Sequence, residues 1–249
     1  MSYDPVDLLN AFAAKHGITY PLLSDAGSAT IRRLGMLDED LERHHAEFGI
    51  ATRDEQRGVA YPGVFLIDRD GVVVRKRFHK NYRIRDTGAG LVEAVLGIPA
   101  TERGAEATAP GRVVRARLSF DSPAYRPYQQ IQLAAVLTIE PGWHVYATPV
   151  PEGYTALSLE ITPVSGLEVG ATIAWPEPQP FWLEGLEDRF LVHEGTIRGT
   201  VPVTFAFAAG SGTQIVRAGI RYQVCSTTEC LPPEEMRVEL VMPEMPRAE

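Results

Sequence analysis

From residue 112 onward, apolar side chains recur at every second position. Val114, Ala116, Leu118 and Phe120 alternate with Arg115, Arg117 and Ser119, and Ile131, Leu133, Ala135, Leu137 and Ile139 repeat the pattern. Leu157, Leu159 and Ile161 follow it, as do Ile197, Val201, Val203, Phe205 and Phe207. A period of two turns one face of each strand toward a core, and the Pro- and Gly-bearing breaks between runs predict turns. The expectation for this part is an all-β antiparallel sandwich.

Before residue 98 the pattern is helical. Val6, Leu8, Leu9, Phe12 and Ala13 form an apolar face, with Asp4 as the expected cap, Pro5 in the first helical position and Gly17 as the stop. Further helices are expected over 28–34, 39–48 and 88–96, the last ending at Gly97. Between them, GVFLIDRDGVVVRKRF (63–78) joins two apolar runs through Asp70-Gly71, a hairpin signal. One hairpin and several helices do not make a sheet with two covered faces. This half therefore reads as a partial α/β domain without its first strands, and the sequence is expected to be truncated at its amino end. Residues 98–111 are small, polar and proline-bearing, as a linker is. The expected organisation is a domain at 1–97, a linker at 98–111 and a sandwich at 112–245.

A length of 249 residues with 45% hydrophobic content suits two folded domains. The net charge of -8 provides no electrostatic footprint for nucleic acid. Residues 75–85 depart from this, with six Lys or Arg among eleven, and read as a solvated strand edge and turn. No apolar run approaches the roughly 20 residues that span a bilayer, so the chain is not expected to cross a membrane itself. Its first residues, MSYDPVDLLNAF, lack the basic start and apolar stretch of a secretory signal.

Only two cysteines occur, Cys225 and Cys230, at the end of a strand-like run in RYQVCSTTECLPPEE (221–235). In that run Val216, Ala218, Ile220, Tyr222 and Val224 share the core face, so a regular strand points Cys225 away from the core. Met236, Val238, Leu240 and Met242 mark the antiparallel partner strand. A disulfide across so short a ring is worth about 2 kcal/mol in the chain-entropy model, a poor staple, while short exposed rings are readily attacked. Spacing alone leaves redox exchange and pinning of a hairpin tip both open. A metal site is disfavoured, because two sulfurs need further ligands and the six histidines show no zinc-like spacing near them. Glu229, Glu234 and Glu235 should disfavour thiolate, which suits a disulfide awaiting a partner's thiolate better than a free nucleophile.

GWHVYATPVP (142–151), TALSLEIT (155–162), AWPEPQPF (174–181) and YQVCSTTECLPP (222–233) resemble the amino-terminal domain of DsbD-type thiol:disulfide interchange proteins. The resemblance implies an immunoglobulin-like sandwich with Cys225 and Cys230 as a redox pair on a hairpin. It also implies a thioredoxin-like protein or a membrane thiol-electron carrier as partner, and a periplasmic or envelope location. Phe181 and Trp182 are candidates for an aromatic cap over the pair. His144 and Tyr146 read either as groups near the pair or as ordinary strand residues. No dissociable cofactor is implied, because the electrons travel in the sulfurs. FAAKHGITYPLLSD (12–25) and VAYPGVFLIDRDGVV (59–73) resemble the thioredoxin-fold peroxiredoxin-like (AhpC/TSA) family, in which the proline matched by Pro62 is commonly cis. That family's reactive cysteine has no counterpart before Cys225, so no peroxidase activity is expected of this chain. The alternative to exchange is a non-catalytic interaction module with a structural disulfide and a degenerate redoxin domain.

Overall fold

The computed structural model describes residues 1–47, 49–81, 83–99, 104–182, 189–210 and 212–246. Contacts divide the chain into two compact units, Met1–Arg85 and Asp86–Glu249.

The first unit is a small mixed α/β body. Helix α1 (Val6–His16) ends at Gly17, whose left-handed φ of 62° is the conformation glycine adopts without a Cβ penalty. Its start differs from expectation: Pro5 is the N-cap residue, and Asp4 caps nothing but accepts from the Ser2 hydroxyl at 2.5 Å. Helices α2 (Ala29–Arg33) and α3 (Leu41–Ala46) are shorter than the periodicity suggested, and Phe48 at the expected end of the third lies outside the described residues. Strands β1 (Gly63–Ile67) and β2 (Val73–Phe78) form the expected antiparallel hairpin. Its turn is held by the Asp68 carboxylate, which accepts from the backbone N–H groups of Asp70 and Val72. Pro62 enters β1 through a trans bond, contrary to the cis expectation; the cis X–Pro bond among the described residues is Thr148–Pro149. As the residue before the strand, Pro62 offers no N–H to the ladder, while its carbonyl accepts from the His79 N–H at 3.0 Å.

The second unit opens with helix α4 (Gly88–Leu96), N-capped by Thr87 and ended by Gly97 at a φ of 69°. Expectation placed this helix with the first domain, but its anchors are in the sandwich. Glu93 accepts from Arg198 at 2.5 Å, and the Thr87 hydroxyl donates to the buried Asp121 carboxylate. Part of the expected linker is likewise structured: β3 (Glu106–Pro110) pairs with β4 (Val114–Phe120), while residues 100–103 lie outside the described residues.

Besides a two-residue strand at Arg85–Asp86, the remaining strands are β5 (Gln129–Ile139), β6 (His144–Tyr146), β7 (Ser158–Ile161), β8 (Leu167–Val169), β9 (Gln179–Trp182), β10 (Arg189–Glu194), β11 (Thr196–Phe205), β12 (Gln214–Tyr222), β13 (Val224–Cys225) and β14 (Glu234–Met242). They build an antiparallel sandwich. One layer runs β3-β4-β5-β11-β8, a second β14-β12-β7, and a third sheet β9-β10-β6-β13. The alternating residues read from the sequence form one core, including Leu118, Phe120, Ile131, Leu133, Val203, Phe205, Ile220, Tyr222 and Val224. Phe207 is the exception. The alternation ends in a 3-10 turn at Phe207–Ala209, which leaves its ring 56% exposed against Tyr128.

Candidate functional site

The cysteine segment begins where a strand changes sheets. Strand β12 pairs with β14 from Gln214↔Met242 to Tyr222↔Glu234, and the ladder stops at Gln223. From the next residue, β13 pairs instead with β6, Val224 opposite Val145 and Cys225 opposite His144. Gln223 fixes the switch from a buried position. Its side-chain carbonyl accepts from the Thr155 N–H at 3.0 Å, and its amide donates to the Leu231 carbonyl at 3.1 Å.

Beyond Cys225 the chain turns back at once. The Ser226 hydroxyl accepts from the backbone N–H groups of Thr228 and Glu229, and the Ser226 N–H donates to the Glu229 carbonyl. Leu231 N–H then donates to the Val224 carbonyl at 3.0 Å. This closes an antiparallel bridge between Cys225 and Cys230, whose Cα atoms lie 4.1 Å apart and whose sulfurs are bonded. Pro232 and Pro233 lead out of the turn into β14.

The two half-cystines have opposite environments. Cys230 is exposed, whereas Cys225 is 0% exposed. Alternation correctly turned Cys225 away from the main core, since its neighbour Val224 lies in that core. Away from the main core, however, is not toward solvent at Cys225. The outer face of β9-β10-β6-β13 carries a second apolar cluster of Tyr146, Phe190, Val192 and Cys225, with Val150, Tyr154 and Phe181 packed against it. Antiparallel register makes the cluster: Val192 faces Tyr146, and Phe181 faces Phe190. Its rings meet at centroid separations of 5.0 Å for Tyr146–Tyr154 and 5.1 Å for both Tyr146–Phe190 and Tyr154–Phe190.

Of the two cap candidates, the structure brings Phe181 into this cluster and its ring lies 4.2 Å from that of His144. Trp182 is 59% exposed, and residues 183–188, which follow it, lie outside the described residues. Both ambiguous residues of the Trp-His-Val-Tyr stretch reach the site. The Tyr146 hydroxyl is 3.7 Å from the Cys230 sulfur. Burial, with the nearby Tyr154 adding to it, pushes the Tyr146 pKa up to about 12, so the group stays an O–H donor. His144 is 2% exposed and lies opposite Cys225 in register; burial pushes its pKa down to about 4, so the ring is neutral at ordinary pH.

Tyr154, Phe190, Val192 and Gln223 were not foreseen as parts of the site. Arg189 to Glu194 alternates like any strand, and nothing local says that Phe190 and Val192 cover a sulfur. The acidic residues near the pair also sort differently from expectation. Glu234 accepts from the Tyr222 hydroxyl at 2.9 Å, and Glu235 pairs with Arg237 at 2.8 Å, which lowers its pKa. That leaves Glu229, inside the turn, as the carboxylate beside Cys230 in sequence. Among the described residues, no group of three or more His, Cys, Asp or Glu side chains is placed to hold a metal ion, and no helix is long and apolar enough to cross a membrane.

The site is thus a disulfide at the tip of a strand crossover on an antiparallel sandwich, with one half-cystine open and the other sealed. The family model described as thiol:disulfide interchange protein DsbD, N-terminal, matches residues 113–242, just over half of the chain, and the chain belongs to that family. The AhpC/TSA family model matches residues 1–76. Similar solved structures include the N-terminal periplasmic domain of ScsB from Proteus mirabilis. It is 13% identical, with a TM-score of 0.42, and the match covers 55% of this chain and 51% of that one. The chain thus spans about half the length of that ScsB domain. The reduced N-terminal domain of Neisseria meningitidis DsbD is 14% identical, with a TM-score of 0.31 and coverage of 45% and 82%. The GAE domain of yeast GGA1 is 9% identical, with a TM-score of 0.32 and coverage of 54% and 97%. Comparison with the curated proteins produced no match.

Proposed function

We propose that the chain is a thiol:disulfide oxidoreductase component in which Cys225 and Cys230 exchange their bond with a thioredoxin-like protein partner. The observation that carries this reading is the inequality within the pair: Cys230 is open to solvent and Cys225 is sealed under aromatic rings. An incoming thiolate has access to Cys230 alone.

Attack on the Cys230 sulfur forms a partner–Cys230 disulfide and breaks the Cys225–Cys230 bond. The electron pair leaves on the Cys225 sulfur, which takes up a proton. The partner's second thiolate then attacks its own sulfur in the mixed disulfide and releases Cys230 as a thiolate, which is protonated in turn. The partner departs with a disulfide, and this chain holds two thiols and two more electrons. The Tyr146 hydroxyl donates to the Cys230 sulfur while it carries charge, an interaction stronger for a thiolate than for a neutral sulfur. Family membership supports the chemistry, and the reverse sequence of the same steps reoxidises the pair.

The test is trapping. With Cys225→Ser, Cys230 is the lone thiol and is expected to accumulate a mixed disulfide with a thioredoxin-fold protein that lacks its second active-site cysteine and whose remaining cysteine has been converted to a thionitrobenzoate disulfide, the thionitrobenzoate anion being the leaving group. With Cys230→Ser, the buried Cys225 is expected to form at least about tenfold less, following its exclusion from solvent. Equal trapping through either cysteine, or none through both, would refute the assignment. A reduction potential well below that of thioredoxin, with no exchange, would instead identify a structural disulfide.

A further inference from the structure

The cluster around Cys225 contains one polar atom without a partner. His144 Nε2 is fully buried and makes no hydrogen bond among the described residues. Leaving a buried polar atom unpaired costs about 1–3 kcal/mol, so such atoms in folded proteins call for an explanation. Among the described residues its surroundings supply no remedy in the disulfide form. Phe181 covers the ring at 4.2 Å, Tyr146 stands edge-on at 5.5 Å, and the Tyr146 hydroxyl is directed to Cys230. Two residues stand opposite it on the same face of the ladder: the exposed Glu194 on β10, which makes no hydrogen bond to Nε2, and the buried Cys225 on β13. Cross-strand pairs hold their Cβ atoms about 4.5–5.5 Å apart, within reach of an imidazole and a sulfur. As a half-cystine, Cys225 has no proton to give.

We infer that His144 is a positioning residue for the redox pair: on reduction, the new Cys225 S–H donates to His144 Nε2, and this bond, absent from the disulfide form, favours the dithiol. The inference rests on the exchange reading above and adds to it a cause for the poise of the pair. Reduction of the disulfide by two thiols adds two electrons and two protons. One proton resides on Cys230, which faces water, and the other on Cys225, where the neutral imidazole is its acceptor. Burial keeps the imidazole neutral, so one ring nitrogen carries the proton and the other is an acceptor; in the Nδ1–H tautomer, on which the inference rests, Nε2 is the acceptor. Removing the acceptor penalises the dithiol alone, because the disulfide form makes no use of it.

The experiment equilibrates the whole chain in glutathione buffers of graded ratio and reads the oxidised fraction by mass after thiol alkylation. His144→Phe, which keeps an aromatic ring against Phe181, is expected to move the equilibrium toward the disulfide by about five- to tenfold, on the order of 20–30 mV more negative. His144→Gln, which retains an acceptor, should remain within about twofold of the parent if one hydrogen bond is the cause. His193→Phe serves as the control. That histidine is also buried, but it pairs with Val145 and projects from the other face of β10, so its loss should leave the equilibrium unchanged. A second measurement needs no variant: the His144 Nε2 nitrogen resonance should move to lower frequency on reduction as it gains a donor. The inference is overturned if His144→Phe stays within twofold of the parent, if His193→Phe shifts as much, or if the resonance does not move. A parent disulfide that never equilibrates with glutathione, and never traps a partner, sinks the exchange reading instead.

Discussion

Gln223 shows how much one side chain can settle. By alternation it lies on the outward face with Arg221, and in the fold it is buried, bridging the Thr155 N–H and the Leu231 carbonyl. Gln223→Ala leaves both backbone groups unpaired at the point where the chain changes sheets. The expected cost is about 1–3 kcal/mol of stability, measured as a lowered denaturant midpoint, with amide exchange at Leu231 accelerated more than at Ile220. Unchanged protection at Leu231 would show that the crossover is held by something else. The cysteines themselves, and their offset from the core, were readable from type and spacing. The burial of Cys225 was not, because a strand's outward face is dry or wet according to what another part of the chain lays over it. Here Phe190 and Val192, more than thirty positions upstream, do so.

Helix α4 illustrates the same point for elements. Its existence, its span of 88–96 and its end at Gly97 were legible in the sequence, and the structure adds Thr87 as its N-cap. Its allegiance was not, because the anchoring partners, Asp121 and Arg198, are remote in sequence. Burial raises the Asp121 pKa from the ordinary 3.8 and the negative charge of Glu93 adds to the rise, while hydrogen bonds from Thr87 and the Gln132 N–H oppose it. A raised folded-state value means that this group favours folding most below the ordinary carboxyl pKa. Its contribution is lost as pH climbs from about 4 through the raised value. Asp121→Asn should therefore flatten the decline in stability across that interval, as read by denaturant midpoints between pH 3 and 8. A variant whose pH profile overlays the parent's would assign the slope to other groups. Gly90 is a constraint on the same anchor, since a Cβ there would lie 2.9 Å from Thr87 Oγ1 and 3.0 Å from Asp121 Oδ2. Gly90→Ala is expected to loosen α4, lowering the midpoint without altering trapping through Cys230.

At the scale of the molecule, the two units differ in how much they bury. The sandwich encloses a continuous core of aliphatic and aromatic side chains from every layer. In the first unit Leu9, Ile31, Met36 and Leu41 are buried, while Val6, Leu8, Phe12, Leu23, Ile67 and Val73 are exposed. An open apolar hollow there is lined by Leu8, Phe12, Leu22 and Leu23. Burial of apolar area is the main source of folding stability. The amides of β1 and β2 are accordingly expected to exchange well before those of β12, and the first unit to melt in a separate, lower transition. One cooperative transition with uniform protection would contradict that expectation. The AhpC/TSA match to residues 1–76 agrees with the mixed α/β content of this unit.

Periodicity, turn residues and the two sulfurs are local properties, and from them came the helix and strand types, the sandwich class, the β1–β2 hairpin and the position of the cysteine pair. These follow from backbone geometry and from which side chains avoid water, both of which act over a few residues. What required the folded chain was the pairing of distant segments: β13 leaving β14 for β6, the aromatic cover over Cys225, and the unpartnered nitrogen of His144 opposite it. Such features depend on which surfaces meet across the molecule. A single strand's pattern is the same whether its second face is wet or covered.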